Sequence, residues 1–261
     1  MRTLDVDGGR LKLEWGVLNA RAGHVVEDLL WWNGDRLLGF LGLYAFGSHP
    51  VELAGMVDPA ARRRGIATAL LDAALPICRD RGYPRALLVT PRASAAGRCL
   101  ALGRGAVFDH SEHALALLGP PTDGPTDSRI SLRTATAADA AEITRLLTTA
   151  FDWPPSDVGQ GLASDLASTL LVEVAGSAVG TVRLTRDNDA GGVYGFAVDP
   201  AWQGQGIGRD VLRRVCHQLR QEGATRVCLE VAVENERALG LYTSIGFARV
   251  TTEDYYALPL T

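Results

Sequence analysis

The sequence predicts two consecutive α/β domains, each a mixed, bent β-sheet flanked by helices, and three observations carry that prediction. The first is length: 261 residues is long for one domain and comfortable for two. The second is a break at Leu118–Ser128, which holds three prolines, two glycines and no apolar periodicity. The third is an internal repeat. Asp58-Pro59-Ala60 recurs as Asp199-Pro200-Ala201, Gly65-Ile66 as Gly206-Ile207, Leu71 as Leu212, and Gly105 as Gly246. Arg79, Gly82, Arg85 and Leu88 likewise recur as Arg220, Gly223, Arg226 and Leu229. All share one offset, 199 − 58 = 141, and shared propensity does not hold register from Asp58 to Gly105 without a gap. The expected organisation is a first copy at 1–118, shortened at its start, a linker at 119–128 and a second copy at 129–261.

The second copy reads in order. Arg129–Thr134 is a strand, Ala137–Phe151 an amphipathic helix, and Thr169–Ala175 and Ala178–Thr185 are strands. The β-branched and aromatic run Val193–Val198 is a further strand, ended by Asp199-Pro200. Gln203-Gly204-Gln205-Gly206-Ile207-Gly208 then leads into the helix Arg209–Gln221. A strand at Arg226–Val233, a helix at Glu236–Ser244 capped by Asn235, and a strand at Phe247–Leu258 complete it.

Composition narrows the function. A net charge of −4 and a pI near 5.7 leave no electrostatic footprint for nucleic acid. No apolar run approaches the length of a membrane span, and Met1–Ala20 lacks the charged and apolar regions of a leader, so the expectation is a cytoplasmic protein with no membrane partner. Cys78, Cys99, Cys216 and Cys228 are far apart and form no CxxC pair, and His110 and His113 lack a third ligand and are expected at the surface; no metal is expected.

The glycine-rich turn carries the chemistry. Alternating glycines let a backbone approach a ligand closely, and the first-turn N–H groups of the following helix point outward at the positive end of its dipole. That is a phosphate or pyrophosphate site. Gly208-Arg209-Asp210 lacks the Lys-Ser/Thr of a Walker loop. A dinucleotide fingerprint wants glycine where Arg209 stands, although Glu230 can pass for its ribose-binding acid.

The spacing Gln-x-x-Gly-x-Gly directly after a strand ending Val-Asp-Pro resembles instead the acyl-CoA motif of the GNAT N-acetyltransferase superfamily. The resemblance implies acetyl-CoA as cofactor, held by Phe196, Ala197, Val198, Gln203, Gly204, Gln205, Gly206, Ile207, Gly208 and Arg209. The first copy has the alternative form Arg-x-x-Gly-x-Ala, which implies a second cradle at Met56, Val57, Arg62, Arg63, Arg64, Gly65, Ile66 and Ala67. Asn235 through Phe247 resembles the other GNAT signature, Asn-x-x-Ala-x-x-Leu-Tyr-x-x-x-Gly-Phe. In that family the Asn contacts the cofactor arm and the Tyr protonates the departing thiolate, which implies those roles for Asn235 and Tyr242. Glu230 is the candidate base, and its distance to Tyr242, 242 − 230 = 12, is similar to that in the ribosomal-protein alanine acetyltransferases. An ordinary phenol near 10 suits the leaving thiolate.

At the same register the first copy has Val89, Ser94, Ala101 and Ala106 for Glu230, Asn235, Tyr242 and Phe247, so it is expected to be catalytically degenerate. The tandem layout is similar to that of mycothiol synthases; where those place a glutamate before Val-Asp-Pro, this chain has Gly192 and Val193. The expected function is an acetyl-CoA-dependent N-acetyltransferase working from the second copy on a primary amine of a small molecule or peptide, as monomer or homodimer. A CoA-binding sensor or scaffold without turnover is one alternative; an enzyme similar to the mycothiol synthases, which acetylate the cysteinyl amine of a sugar-inositol conjugate, is the other. The resemblance brings the acceptor in over Phe151–Asp157 and Thr251–Asp254, whose carboxylates favour a cationic amine.

Overall fold

A computed structural model of the chain describes residues 18, 21, 23–45, 50–151, 155 and 165–260. Its strands are β1 (Asp28–Asn33), β2 (Arg36–Tyr44), β3 (Val51–Val57), β4 (Arg85–Pro91), β5 (Val107–Leu117), β6 (Ile130–Thr134), β7 (Thr169–Val174), β8 (Ser177–Asp187), β9 (Ala190–Val198), β10 (Arg226–Ala232) and β11 (Ala248–Pro259). The helices are α1 (Ile66–Asp80), α2 (Ala95–Gly103), α3 (Ala140–Phe151), α4 (Ile207–Gln221) and α5 (Glu236–Ile245). The helix expected from Ala137 opens with a tight turn at Ala137–Asp139, because Asp139 accepts from the Thr136 amide in a capping box.

The duplication is visible to the residue. β1 and β7, α1 and α4, and β4 and β10 each coincide at the same offset, since 169 − 28, 207 − 66 and 226 − 85 all equal 141. Their caps coincide too. Asp58 and Asp199 accept from the amides of Ala60 and Ala201, and Ser94 and Asn235 accept from those of Gly97 and Ala238.

Two compact units result, Met1–His113 with Thr251–Thr261, and Ala114–Val250. The partition differs from the sequence expectation at the C-terminus, for a physical reason. β11 pairs antiparallel with β4 from Glu253–Pro91 to Pro259–Arg85, so the end of the chain completes the first unit's sheet. That sheet runs β1-β2-β3-β4-β11-β5, and β3 and β4 are parallel. In the second unit the order from the end of β5 is β5-β10-β9-β8-β7-β6, with β9 and β10 parallel.

Alternation along the second unit's strands sorts its core onto two faces. Val172, Val182, Val193, Val227, Leu229 and Val231 pack with Val211, Leu212, Val215 and Leu219 of α4 and with Tyr242 and Ile245 of α5. Leu171 packs on the other face with Ile143 and Leu146 of α3.

The segment expected as a linker is bound along its length. Thr122 donates from its amide to Ile245 O (2.9 Å) and from its hydroxyl to Ser244 O (2.8 Å). Arg213 donates to Pro125 O (3.0 Å), and Arg214 donates to Asp127 O (2.7 Å), Ile130 O (2.9 Å) and Asp210 Oδ2 (2.7 Å). Asp210, only 5% exposed in the first turn of α4, also accepts from the Asp127 amide. Arg214→Ala leaves that carboxylate with the Asp127 amide alone, and losing one partner of such a half-buried pair costs about 1–3 kcal/mol. Urea unfolding should show that loss; a change below about 1 kcal/mol would mean the strap is incidental.

Among the described residues no helix is long and apolar enough to cross a membrane. Cys78 and Cys216 are buried as expected for small hydrophobes, whereas Cys99 is exposed. His113, expected at the surface, is 6% exposed and shares a hydrogen bond with Thr252 Oγ1; His110 stacks on Tyr255 and pairs with Asp109.

Candidate active site

The glycine turn between β9 and α4 is held open by its backbone. Gly204 and Gly206 lie at φ 79° and 84°, the left-handed region where only glycine rests without strain. Gly206 is the N-cap of α4 and no side chain caps it. A Cβ added at either glycine meets nothing within 4 Å, so the glycines serve conformation and approach rather than packing. Gln203–Gly206 and Arg209 are exposed while Ile207 is buried, which leaves the turn accessible and its first helical residue anchored. Side chains take smaller parts: Gln203 donates to Val198 O (2.8 Å), closing the end of β9, and Arg209 donates to Ser244 Oγ (3.3 Å).

Beside the turn, the sheet forks. β9 and β10 pair at Ala190–Arg226, Gly191–Val227 and Gly192–Cys228, after which the ladder ends and both strands continue. On its other side β9 carries a bulge. The β8–β9 register shifts between Thr181 and Arg183, so that Gly195 and Phe196 stand as an extra residue's worth of chain, with Gly195 at φ 52°. Phe196 and Val198 pack against the α4 face of the sheet and Ala197 is buried. Backbone amides released from the ladder in this way can meet a ligand inserted between the strands.

The two candidate catalytic side chains lie on opposite faces of β10. Val227, Leu229 and Val231 face the apolar cluster that includes Tyr242, and Glu230 between them therefore faces away, half-buried. Tyr242 is 8% exposed and meets Phe247 edge-on, ring centroids 6.0 Å apart. Burial pushes its phenol up to about 12, which corrects the expectation of an ordinary phenol. Asn235 is exposed at the start of α5, its side chain accepting from the Ala238 amide (3.0 Å).

The first unit repeats the cradle and the fork, β3 and β4 parting after Leu53–Leu88, but not the bulge. Gly65 caps α1 at φ 80°, again without a side-chain cap, and Arg63 takes the left-handed place of Gly204 at φ 62°. Arg62 Nε donates to Val57 O (3.3 Å) as Gln203 does to Val198, so this guanidinium bonds the strand end instead of standing clear in the turn; Arg63, Arg64 and Gly65 are exposed, Ile66 is buried and Ala67 half-buried. Met56 and Val57 pack against the two core faces of this unit. The β2–β3 ladder runs unbroken from Gly39–Val57 to Tyr44–Glu52, with no bulge at Ala54-Gly55.

The acceptor loops change most. Of Phe151–Asp157, residues 152–154, 156 and 157 lie outside the described residues, as do Met1–Val17 at the start. Thr251–Asp254 is no loop: it lies within β11, where Glu253 and Asp254 are buried, and Asp254 accepts from Arg92 (2.9 and 2.8 Å) and Ser111 (2.8 Å). Pairing with β4 keeps this segment extended, and its acids are spent on structure. Sequence reasoning missed Tyr194 and Arg183 on the face that carries Glu230; the signal was a Gly-Gly and a Gly flanking Tyr194 within a strand run.

Comparison with known proteins agrees with this geometry. The model of the Acetyltransferase (GNAT) family matches residues 5–103 and 140–247. The mycothiol acetyltransferase of Nocardia farcinica is 30% identical over 96% of this chain and 89% of its own length, and that of Mycolicibacterium gilvum is 33% identical over 86% and 80%. A GCN5-related N-acetyltransferase from Sphaerobacter thermophilus superposes with a TM-score of 0.79 at 20% identity, covering 94% of this chain and 85% of that one. A tandem GNAT protein from the clavulanic acid pathway gives 0.65 at 17% identity, over 90% and 82%.

Proposed function

The chain belongs to the GNAT family of acetyltransferases, and from that premise we propose that its second unit acetylates the cysteinyl amine of a small sugar conjugate by direct attack on acetyl-CoA. The acceptor follows from the relatives named mycothiol acetyltransferase, at 30–33% identity across most of both chains. The observation that carries the mechanism is the fork, with a carboxylate on one face of β10 and a buried phenol on the other.

Acetyl-CoA supplies an activated acyl carbon and a thiolate leaving group. The residues present suit it: an uncapped helix start behind two left-handed glycines fits a pyrophosphate, and the opening between β9 and β10 fits an extended arm. The backbone amides of Gln205–Gly208 hold the phosphates, with Arg209 beside them. An N–H of β9 near the bulge donates to the oxygen that gains charge. Glu230 takes the proton of the acceptor ammonium, directly or through water, because only the neutral amine attacks. Tyr242 gives its phenolic proton to the departing sulfur and is reprotonated, through solvent, by the second proton that the attacking nitrogen loses as the amide forms.

Opposite faces suit this chemistry. The amine arrives on one side of the acyl carbon and the sulfur leaves on another, so a base and an acid on one face would compete for one position. Asn235 holds the start of α5 and so fixes the helix that carries Tyr242. The first unit, with a cradle and neither bulge nor phenol, binds the cofactor or serves as scaffold.

Thiol release from acetyl-CoA by the full-length protein, across peptides, polyamines, aminoglycosides, amino acids and a cysteinyl sugar, tests this reading. Release is expected with the cysteinyl sugar. Silence across the panel with calorimetric binding of acetyl-CoA would favour a sensor. Absence of binding would overturn the reading.

A further inference from the structure

The face of the fork that carries Glu230 holds a second constellation that the mechanism above does not use. Strand register fixes its members. Gly192 pairs with Cys228, so Tyr194 and Glu230, each two residues further on, occupy the same face at the same level, where β9 and β10 part. Arg183 stands opposite Tyr194 on β8. Its guanidinium lies over the Tyr194 ring, 5.3 Å from the centroid, and Asp165 holds it there by an ion pair.

The ring's seat is built into the sequence. A Cβ at residue 192 would come within 2.5 Å of Tyr194 Cε2, so Gly192 is what lets the ring lie back along the strand. Gly195, at φ 52°, turns the chain away immediately after it. Arg183, Tyr194 and Glu230 are all half-buried, neither sealed in the core nor splayed into solvent.

The chemistry of this face is asymmetric. A guanidinium over the ring occupies the position in which an ammonium would stack on tyrosine, and it repels one. What Arg183 and Tyr194 present is a set of N–H and O–H donors, which bind oxygen. Glu230, on the strand beyond, attracts an ammonium instead. β8 and β10 are two strands apart, about 10 Å where the ladder holds.

We propose that Arg183 and Tyr194 are positioning residues for the acceptor. They bind an oxygen-bearing group of it, a hydroxyl, carbonyl or carboxylate, while its amine turns across β9 to Glu230. The acceptor is therefore an amine that also carries oxygen functions, and alkyl polyamines are poor substrates. The proposal rests on the second unit's fork being the acetyl-transfer site, and it reverses the cationic preference expected from the acidic loops.

Calorimetric titration of the full-length protein, saturated with CoA, with cysteinyl-glucosamine as probe tests it. Arg183→Ala and the conservative Tyr194→Phe should each weaken probe binding about 3–10-fold, the worth of one lost hydrogen bond, and leave acetyl-CoA binding unchanged. Arg183→Lys should recover part of the loss, and spermidine should bind wild type and Tyr194→Phe alike and Arg183→Ala no more weakly. Equal probe affinity in wild type and variants overturns the proposal, as does a wild type that binds acetyl-CoA but not the probe. Failure of wild type to bind acetyl-CoA overturns the acetyltransferase site itself, and this inference with it.

Discussion

Tyr242→Phe should lower thiol release by about 10²–10⁴-fold, the usual worth of a positioned acid, and leave acetyl-CoA binding unchanged. The substitution keeps the ring, its edge-on contact with Phe247 and its place in the apolar cluster, so the loss isolates the hydroxyl. A phenol near 12 looks too weak an acid for an ordinary thiolate near 8.5. Desolvation narrows the mismatch. Cys216 belongs to the same apolar cluster as Tyr242, and burial pushes its thiol up to about 12 as well. A thiolate brought against Tyr242 would be desolvated as well, which raises its proton affinity toward that of the phenol.

The same burial sets a pH signature. The folded-state value lies above that of an exposed phenol, about 10, so the neutral phenol contributes stability that is fully present below pH 10. That stability is lost as pH rises from 10 through about 12. Two units correspond to about 3 kcal/mol. Wild type should lose that much more stability than Tyr242→Phe over this window, and its rate should show no alkaline loss from this group below about pH 11. Thiol release by Tyr242→Phe at the wild-type rate would remove the residue from the mechanism.

Much of this was legible because the repeat supplied its own control. Helix α4 and its partner α1 share both ends at one offset, and the left-handed Gly206 and Gly65 were readable as glycines between a strand and an apolar-periodic helix. The C-terminal strand was not. Offset 141 pairs β11 with β5 as equivalents but says nothing about which sheet either strand completes, since that depends on contacts distant in sequence. The same ambiguity made Thr251–Asp254 look like a loop rich in free acids. The bulge at Gly195 was legible in principle, as a glycine inside a strand run, whereas the Arg183–Tyr194 contact depends on a cross-strand register that one sequence does not reveal.

The second large effect is expected at the cradle, where two electrostatic effects oppose each other. A glutamate at residue 206 places a carboxylate at the start of α4, which the helix dipole favours by about 0.3–1 kcal/mol, while the left-handed φ of 84° costs a side chain about 1–2 kcal/mol. Folding is therefore nearly balanced. Binding is not, because the carboxylate stands where a phosphate must come: at about 4–5 Å and an effective dielectric near 20, repulsion is about 3–4 kcal/mol per charge. Gly206→Glu should weaken acetyl-CoA binding at the second unit by 10²-fold or more, and Gly206→Ala, with strain and no charge, by only a few-fold. The first unit has the same uncapped glycine at residue 65, so calorimetry of the full chain needs Gly65→Glu, Gly206→Glu and the double variant. If both cradles bind, the wild-type isotherm has two sites and each single variant removes one. If only the second binds, Gly65→Glu changes nothing and Gly206→Glu removes the signal. Wild-type affinity in the double variant would mean that neither glycine turn holds the phosphates, and with that the first step of the proposed mechanism would fail.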